Sequence, residues 1–447
     1  MSKSGSARWW STLPRDYTTL LALLVACAVL SAITLAEQNP TGTAGGRQVA
    51  GMLASQLPRG AGVLVVLRDT REDRALAQAL QAGAESAGLK VVAIVHGEPA
   101  DARAALEAAN SSGKSIDAIA CIDEPRRWAV FDGLGEKYPA LARTRFFQPR
   151  RYWWPNFLKS GNLLNIVNQI VVTAIVAIGL TLVIIGGGID LSVGSLIALS
   201  AVLTALLIRD YAGGDAASPL GLVLCSLAAI GICAAIGAVT GGLVAYVRIQ
   251  PFIVTLAGMS IAKGLAHIAS NGATITVPHK ITWLGGGADL LGIPNAVVLM
   301  GLLYLVAHLT LSHTVFGRHL YAVGGNEKAA WLCGIAVRRI RLATYVARAA
   351  LAGLGGVIMT STFASGAHTY GLGYELRVIA AVVVGGTSLS GGEGRMLGTL
   401  LGALFIGVVQ NGMNLLNVSS QWQDVVLGVV ILLAAILDRA KAAWLPR

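Results

Sequence analysis

An apolar run that breaks at three glycines and carries a carboxylate constrains this chain more than any other feature. Ile166 to Ser200 reads IVNQIVVTAIVAIGLTLVIIGGGIDLSVGSLIALS. A helix that spans a bilayer needs about 20 mostly apolar residues, and two such runs meet at Gly186, Gly187, Gly188 and Asp190. Irregular backbone and a carboxylate survive at membrane depth only where protein or a water-filled cavity supplies hydrogen-bond partners. The stretch reads as part of a transport pathway.

Composition agrees. The 447 residues are 55% hydrophobic and 13% charged, with a mean hydropathy of +0.66, more apolar surface than a soluble globule can bury. Many of the 54 glycines fall inside apolar runs, where small residues let helix backbones approach. The net charge of +11 does not point to nucleic acid, because the basic residues flank the apolar runs and fill one long loop instead of forming a continuous face. Membrane lipid is the expected surrounding, and no nucleic-acid partner is expected.

Along the chain, a short basic start with Lys3, Arg8 and Arg15 precedes an apolar span at Tyr17 to Ala36. Thr34-Leu35-Ala36-Glu37 is a poor small-residue cleavage site, so the run reads as an uncleaved helix and not a signal peptide. Further candidate spans fall near Leu164–Ile185, Val193–Ile208, Leu220–Val247, Phe252–Ala269, Asn295–Leu311, Ile340–Phe363, Glu375–Gly386, Leu397–Leu416 and Asp424–Leu437. The expected class is an α-helical polytopic membrane protein with about ten transmembrane segments. Glu375–Gly386 is short for a full crossing. With the N-terminus inside, Arg248, Arg318, Lys328, Arg338, Arg339, Arg341, Arg395, Arg439, Lys441 and Arg447 join the first three basic residues on the cytoplasmic side, while the short outer loops hold little beyond Arg209 and Lys280. Both termini are then cytoplasmic.

The expected organisation is a cytoplasmic N-terminus and first helix over 1–37, an outer insert over 38–160, and a transmembrane domain over 161–447. In the insert, β-branched runs at Gly62–Arg68, Lys90–His96 and Ile116–Ile122 alternate with helix-like stretches at Glu72–Ala87 and Ala100–Asn110, which implies βαβ units on a small parallel sheet. The pattern resembles the first half of one lobe of a periplasmic sugar-binding protein. Half a lobe has no complete cleft, so a docking or vestigial module is expected over an independent sugar site. Tyr152-Trp153-Trp154-Pro155 suits an aromatic belt where the chain re-enters the bilayer.

No enzyme chemistry is indicated. None of Cys27, Cys121, Cys225, Cys233 and Cys333 has metal-ligand spacing, and only Cys121 falls in the insert, so no intramolecular disulfide is expected there. The seven histidines form no paired motif. Leu389-Ser390-Gly391-Gly392-Glu393 nearly spells the signature loop of ABC ATPases, but the chain has no GxxxxGK[ST] phosphate loop. The stretch reads as a glycine-rich turn. No cofactor, no metal and no ATP hydrolysis by this chain itself are expected.

The loop over 313–339 contains a short helix-forming stretch, Glu327–Cys333, with Gly324 and Gly325 before it, Asn326 as a possible N-cap and Gly334 as a stop. From periodicity alone, an ordinary basic loop and a short amphipathic helix that receives force are equally good readings.

Five motifs in order resemble the permease subunit of ribose-type carbohydrate ABC importers, from Asn162 to the C-terminus. They are Asn162-Leu-Leu-Asn-Ile166, Gly188-Ile-Asp-Leu-Ser-Val-Gly-Ser195, Pro251-Phe-Ile-Val-Thr-Leu256 with Met259-Ser-Ile-Ala262, Gly324-Gly-Asn-Glu-Lys-Ala-Ala330 with Gly334-Ile335, and Gly385-Gly-Thr-Ser-Leu-Ser-Gly-Gly-Glu-Gly-Arg395. The resemblance implies a type II-like ABC importer permease fold in the bacterial inner membrane. It implies a cytoplasmic ABC ATPase subunit, a periplasmic sugar-binding protein, and a second permease copy or paralogue in a dimer. It makes Gly324, Gly325, Asn326, Glu327, Ala329, Ala330 and Gly334 the ATPase-coupling residues, and implies import of ribose or a similar monosaccharide by alternating access.

Two departures stand out. The family's outer loop after the first span is usually short, so the insert is unusual. Arg348 lies within an apolar span, where snorkelling to the inner face is expected over a substrate role. For the translocation path or gate, the candidates are Asp190, Ser192, Ser195, Asn165, Asn168, Gln169, Thr181, Gln410, Asn411 and Asn414, each able to bond a sugar hydroxyl or a neighbouring helix. The rival class is an ion-coupled secondary sugar transporter, which explains the broken helix but not the 313–339 loop.

Overall fold

The structure, a computed structural model, describes residues 15–111, 115–290 and 292–444. Lys3, Arg8 and Arg447, counted above toward inner termini, lie outside the described residues. The chain divides into two compact units, one running through Thr34 and resuming at Phe157, the other Leu35–Asn156.

The first unit begins with helix α1 (Arg15–Ile33). The second unit opens on strand β1 (Leu35–Gln38) and closes on β6 (Tyr152–Pro155), which pair antiparallel with Leu35 opposite Pro155. Between them come α2 (Gly42–Gln56), β2 (Gly62–Leu67), α3 (Arg71–Ser86), β3 (Lys90–His96), α4 (Pro99–Ser111), β4 (Ala118–Cys121) and β5 (Arg145–Phe147). The four inner strands form one parallel sheet in the order β3-β2-β4-β5. Every residue of β2 is buried, and its side chains alternate between two cores, as the two-residue period of a strand requires. Val63, Val65 and Leu67 meet Leu53, Leu76 and Leu80 on the side of α2 and α3. Leu64 and Val66 meet Ala102, Leu106 and Phe131 on the other. Helix α3 starts at Thr70, whose hydroxyl accepts from the Asp73 amide at 3.2 Å, and the buried Asp73 carboxylate holds Arg68 at 3.0 Å. That hydrogen bond raises the Arg68 pKa above its ordinary value, against the opposing effect of burial.

The first unit continues with α5 (Ser160–Ile185), α6 (Val193–Tyr211), α7 (Pro219–Gly242), α8 (Pro251–Ser270), α9 (Asn295–His313), α10 (Val315–Gly325), α11 (Glu327–Leu332), α12 (Val337–Phe363), α13 (Tyr374–Val384), α14 (Met396–Leu415) and α15 (Ser420–Trp444). Among the described residues, seven helices are long and apolar enough to cross a membrane: α5, α6, α7 with the turn that extends it to Val247, α8, α9, α12 and α14. The molecule is a polytopic helical membrane protein. Helices α7, α8 and α9 leave most of their apolar surface uncovered, with Leu220, Leu224, Ile261, Ile268, Leu302 and Leu305 exposed; in water such a surface would aggregate, and in lipid it is the required one.

Helix α12 sits at the centre, packed by α5, α6 and α7. Small residues make the approach close enough for backbones to touch. A Cβ on Gly179 of α5 would lie 2.6 Å from the Arg348 Cα, and one on Gly237 of α7 would lie 2.6 Å from the Tyr345 carbonyl. From the α12 side, Gly353 meets Cys233 of α7, and its carbonyl accepts from the Ser200 hydroxyl of α6 at 2.6 Å. Helix α5 is correspondingly buried on every side from Ile170 to Ile185.

One expected span has a different form. The Glu375–Gly386 segment contains a helix of only 11 residues, α13, about 16 Å long at 1.5 Å per residue and so half a hydrocarbon core. Ahead of it lies non-helical backbone beside α6. Gly366 abuts the Ala201 carbonyl and Ala205, and Gly371 abuts the Gly194 carbonyl, so this stretch runs antiparallel to α6. Gly371 and Gly373 both have φ of 77°, the left-handed region that a side chain resists. Non-helical backbone is tolerated at such depth because protein covers it.

Candidate functional site

The glycine break between α5 and α6 is a tight turn followed by a cap. Gly187 takes φ of 78°, and the Gly188 amide donates to the Val183 carbonyl at 2.9 Å. Asp190 Oδ1 then accepts from the Ser192 amide at 2.7 Å and from the Ser192 hydroxyl at 2.8 Å, an Asx turn that starts α6.

Asp190 is fully buried, and so is Arg348. Arg348 Nη2 lies 2.6 Å from Asp190 Oδ2, and Nη1 donates to the Ser192 hydroxyl at 2.8 Å. The expectation that Arg348 snorkels to an aqueous face is therefore corrected. Its charge is met inside the bundle, so nothing draws the side chain outward, and Gly179 opens the room beside its Cα. The Arg348 Nε and the Tyr345 hydroxyl are buried without a hydrogen-bond partner among the described residues, and the guanidinium carbon stands 5.6 Å from the Tyr345 ring centre.

Near the same end of the bundle, two glycine turns meet the glycine end of α10. The Gly392 amide donates to the Ile185 carbonyl at 2.9 Å. Gly324 has no room for a Cβ against that same carbonyl, and Gly391, with φ of 85°, lies against Gly187 and the Gly324 carbonyl. The Leu389–Glu393 stretch is thus a turn that fastens α13 and α14 to the end of α5. Tyr321 of α10 donates to the Gly394 carbonyl at 2.6 Å. Burial raises the Tyr321 pKa, with the nearby Arg395 opposing, which keeps the phenol a donor at neutral pH.

The 313–339 loop folds as two helices. Asn326 Oδ1 accepts from the Ala329 amide at 3.0 Å and caps α11. Gly334, with φ of 82°, follows its end. Ala330 is buried against Val323 and Val337, while Ala329, Trp331 and Leu332 face outward, the last two 69% and 77% exposed. Glu327 holds Arg341, in the first turns of α12, through two bonds of 3.0 and 2.7 Å. Beside them opens a cleft of about 1160 Å³ lined by Gly187, Arg248, Gln250, Glu327, Trp331 and Arg338, among others. Residue patterns did not single out Trp331 or Leu332 and named Arg341 only among the basic residues of the cytoplasmic side; a tryptophan and a leucine at the end of a polar turn were the available signal.

The remaining pathway candidates are not brought together. Ser195 is half-buried in the first turn of α6. Asn165, Asn168 and Gln169 lie toward the start of α5, with Asn165 and Gln169 exposed. Asn411 exchanges amide hydrogen bonds with Asn162 at 3.0 and 2.9 Å, and Thr181 bonds Thr399 at 2.8 Å; these residues join helices. Gln410 is half-buried, and Asn414 accepts from Gln423 at 2.8 Å. Among the described residues no group of three or more His, Cys, Asp or Glu is placed to hold a metal ion.

A bundle of crossing helices with uncovered apolar flanks, a buried ion pair at a broken helix and a capped turn beneath it defines a membrane transport component. Residues 162–435 match the family described as the branched-chain amino acid transport system / permease component, and the chain belongs to that family. Among curated proteins, the ribose import permease protein RbsC of Escherichia coli strain K12 is 46% identical over 296 residues, covering 64% of this chain and 88% of the relative. RbsC of Bacillus subtilis strain 168 is 44% identical over 292 residues, 65% of this chain and 88% of its own. The L-arabinose transport system permease protein AraH of E. coli K12 is 37% identical over 293 residues, 64% and 85% respectively. No solved structure matches the chain.

Proposed function

We propose that this chain is the permease subunit of an ATP-driven ABC importer that carries a monosaccharide, ribose or a similar sugar, across the bacterial inner membrane by alternating access. One observation carries the reading: α11 is a capped helix braced to α12 by Glu327 and Arg341, with Trp331 and Leu332 turned outward. Two large apolar side chains on a short helix beside a cleft are a knob for a partner's pocket. The partner is a cytoplasmic ATPase subunit, and Gly324, Gly325, Asn326, Glu327, Ala329, Ala330 and Gly334 shape the coupling turn it grips. The names of the relatives, ribose and L-arabinose permeases, supply the substrate class.

The finer parts of the reading follow. The chain crosses about ten times in a type II-like fold, α13 and the stretch before it making one crossing together, and both termini are cytoplasmic. A second copy or paralogue completes the path, a periplasmic binding protein delivers the sugar, and ATP is hydrolysed in the partner. Asp190 and Ser192 act at the gate. The Leu35–Asn156 unit is a periplasmic α/β insert that meets the binding protein. Uptake of labelled ribose and L-arabinose into proteoliposomes carrying the chain, its ATPase and its binding protein tests this directly. Uptake that needs ATP and ignores a collapsed ion gradient supports the reading; uptake that follows the gradient without ATP overturns it.

A further inference from the structure

Helix α12 carries two ion pairs on one face. Arg341, Tyr345 and Arg348 follow at spacings of four and three residues and form one stripe. At its lower end Arg341 holds Glu327 of α11. At its upper end Arg348 holds Asp190 and Ser192 at the glycine break. Between them the stripe faces that break directly: a Cβ on Gly188 would lie 2.7 Å from the Tyr345 hydroxyl, and Arg341, Thr344 and Tyr345 line a small cavity with Gly186 and Gly187. The helix runs unbroken through both clamps, from Val337 to Phe363.

The two clamps differ in kind. Glu327–Arg341 is partly exposed, at 51% and 23%, so water can replace either partner. Asp190–Arg348 is fully buried, and a slide of one helix turn leaves both charges stranded in apolar surroundings. Packed apolar helices can slip in small steps, but a buried ion pair has one register. Among the described residues, no other ion pair ties the Gly186–Ser192 break to α12.

We propose that α12 is the strut between the coupling turn and the glycine break, and that Arg348 is its positioning residue, making the break move with α12 whenever α11 is displaced. The inference rests on the reading of α11 as the ATPase contact and adds where that displacement goes. A resting bundle in which Arg348 is only a staple needs the pair for folding; a strut needs it for transport after folding.

The test uses the full complex in proteoliposomes, with the uncharged double variant Asp190→Asn with Arg348→Gln compared with the unmodified chain for complex yield, ATP hydrolysis and sugar uptake. The expected result is an unchanged yield and a fall of at least about fivefold in sugar moved per ATP, the loss falling on the kcat of uptake while KM for the loaded binding protein is unchanged. Equal sugar per ATP in an assembled double variant overturns the proposal. Arg348→Lys keeps the charge but loses the two-pronged reach to Asp190 and Ser192, and covers the case in which the double variant fails to assemble. It is expected to lower sugar per ATP about two- to fivefold; a normal ratio, or failure of this variant to assemble as well, makes the pair a folding element and overturns the strut. If the unmodified chain brings down no ATPase, the reading of α11 falls first and the strut with it, whereas a coupled unmodified complex with equally coupled variants removes the strut alone.

Discussion

Removing one partner of a buried ion pair costs more than removing both, because the survivor keeps its charge and loses its counter-charge. Arg348→Met leaves Asp190 alone in the bundle, and the expected loss of stability is about 3–5 kcal/mol. Arg348→Met combined with Asp190→Leu is expected to recover most of it, read as thermal unfolding of the detergent-solubilised chain. Asp190 stood out in the sequence because a carboxylate in an apolar run always needs an explanation, and Arg348 stood out for the same reason. Their partnership was not legible: nothing in a single sequence records that two isolated charges far apart in the chain meet. The amides show the same gap. Asn411 reads equally well in the sequence as pathway or as glue, and its reciprocal side-chain bonds with Asn162 were not legible there.

At the scale of elements, punctuation was legible and backbone path was not. Asn326 and Gly334 mark both ends of α11 because an Asx side chain caps free amides and glycine tolerates positive φ. The outward residues of that helix carry its prediction. Trp331→Ala with Leu332→Ala removes most of the exposed apolar area of α11 while leaving Ala330 in its packed place, so the chain is expected to purify normally and to lose at least about tenfold of its co-purifying ATPase, a hot-spot effect. Retention of the ATPase would assign the contact to another surface. The segment before α13 gives no local signal, because its glycines and small polar residues have neither a helical nor a strand period. Its place beside α6 depends on Gly194, Gly366 and Gly371 meeting backbone to backbone, a long-range fit without local periodicity.

For the whole molecule, the Leu35–Asn156 unit has its own sheet and two cores, and the helical unit has a separate one. Replacing 35–156 by a short flexible linker is therefore expected to leave the helical unit monodisperse in detergent, with uptake lowered only through the binding-protein step; aggregation of the shortened chain would count against independence. Alternation of apolar strands and helices made the unit's class legible, since strands buried on both faces read as near-continuous apolar runs. Its first helix, α2, and its last inner strand, β5, were missed, because the glycines of α2 and the brevity of β5 hide their periods. The closing pair of strands has a further consequence. Leu35 and Pro155 stand opposite each other, about 5 Å apart as paired strand residues do, so the host chain leaves and returns through a doorway no wider than a hairpin. A module with adjoining ends can be spliced into a loop, or out of it, in a single genetic step without stretching what flanks it.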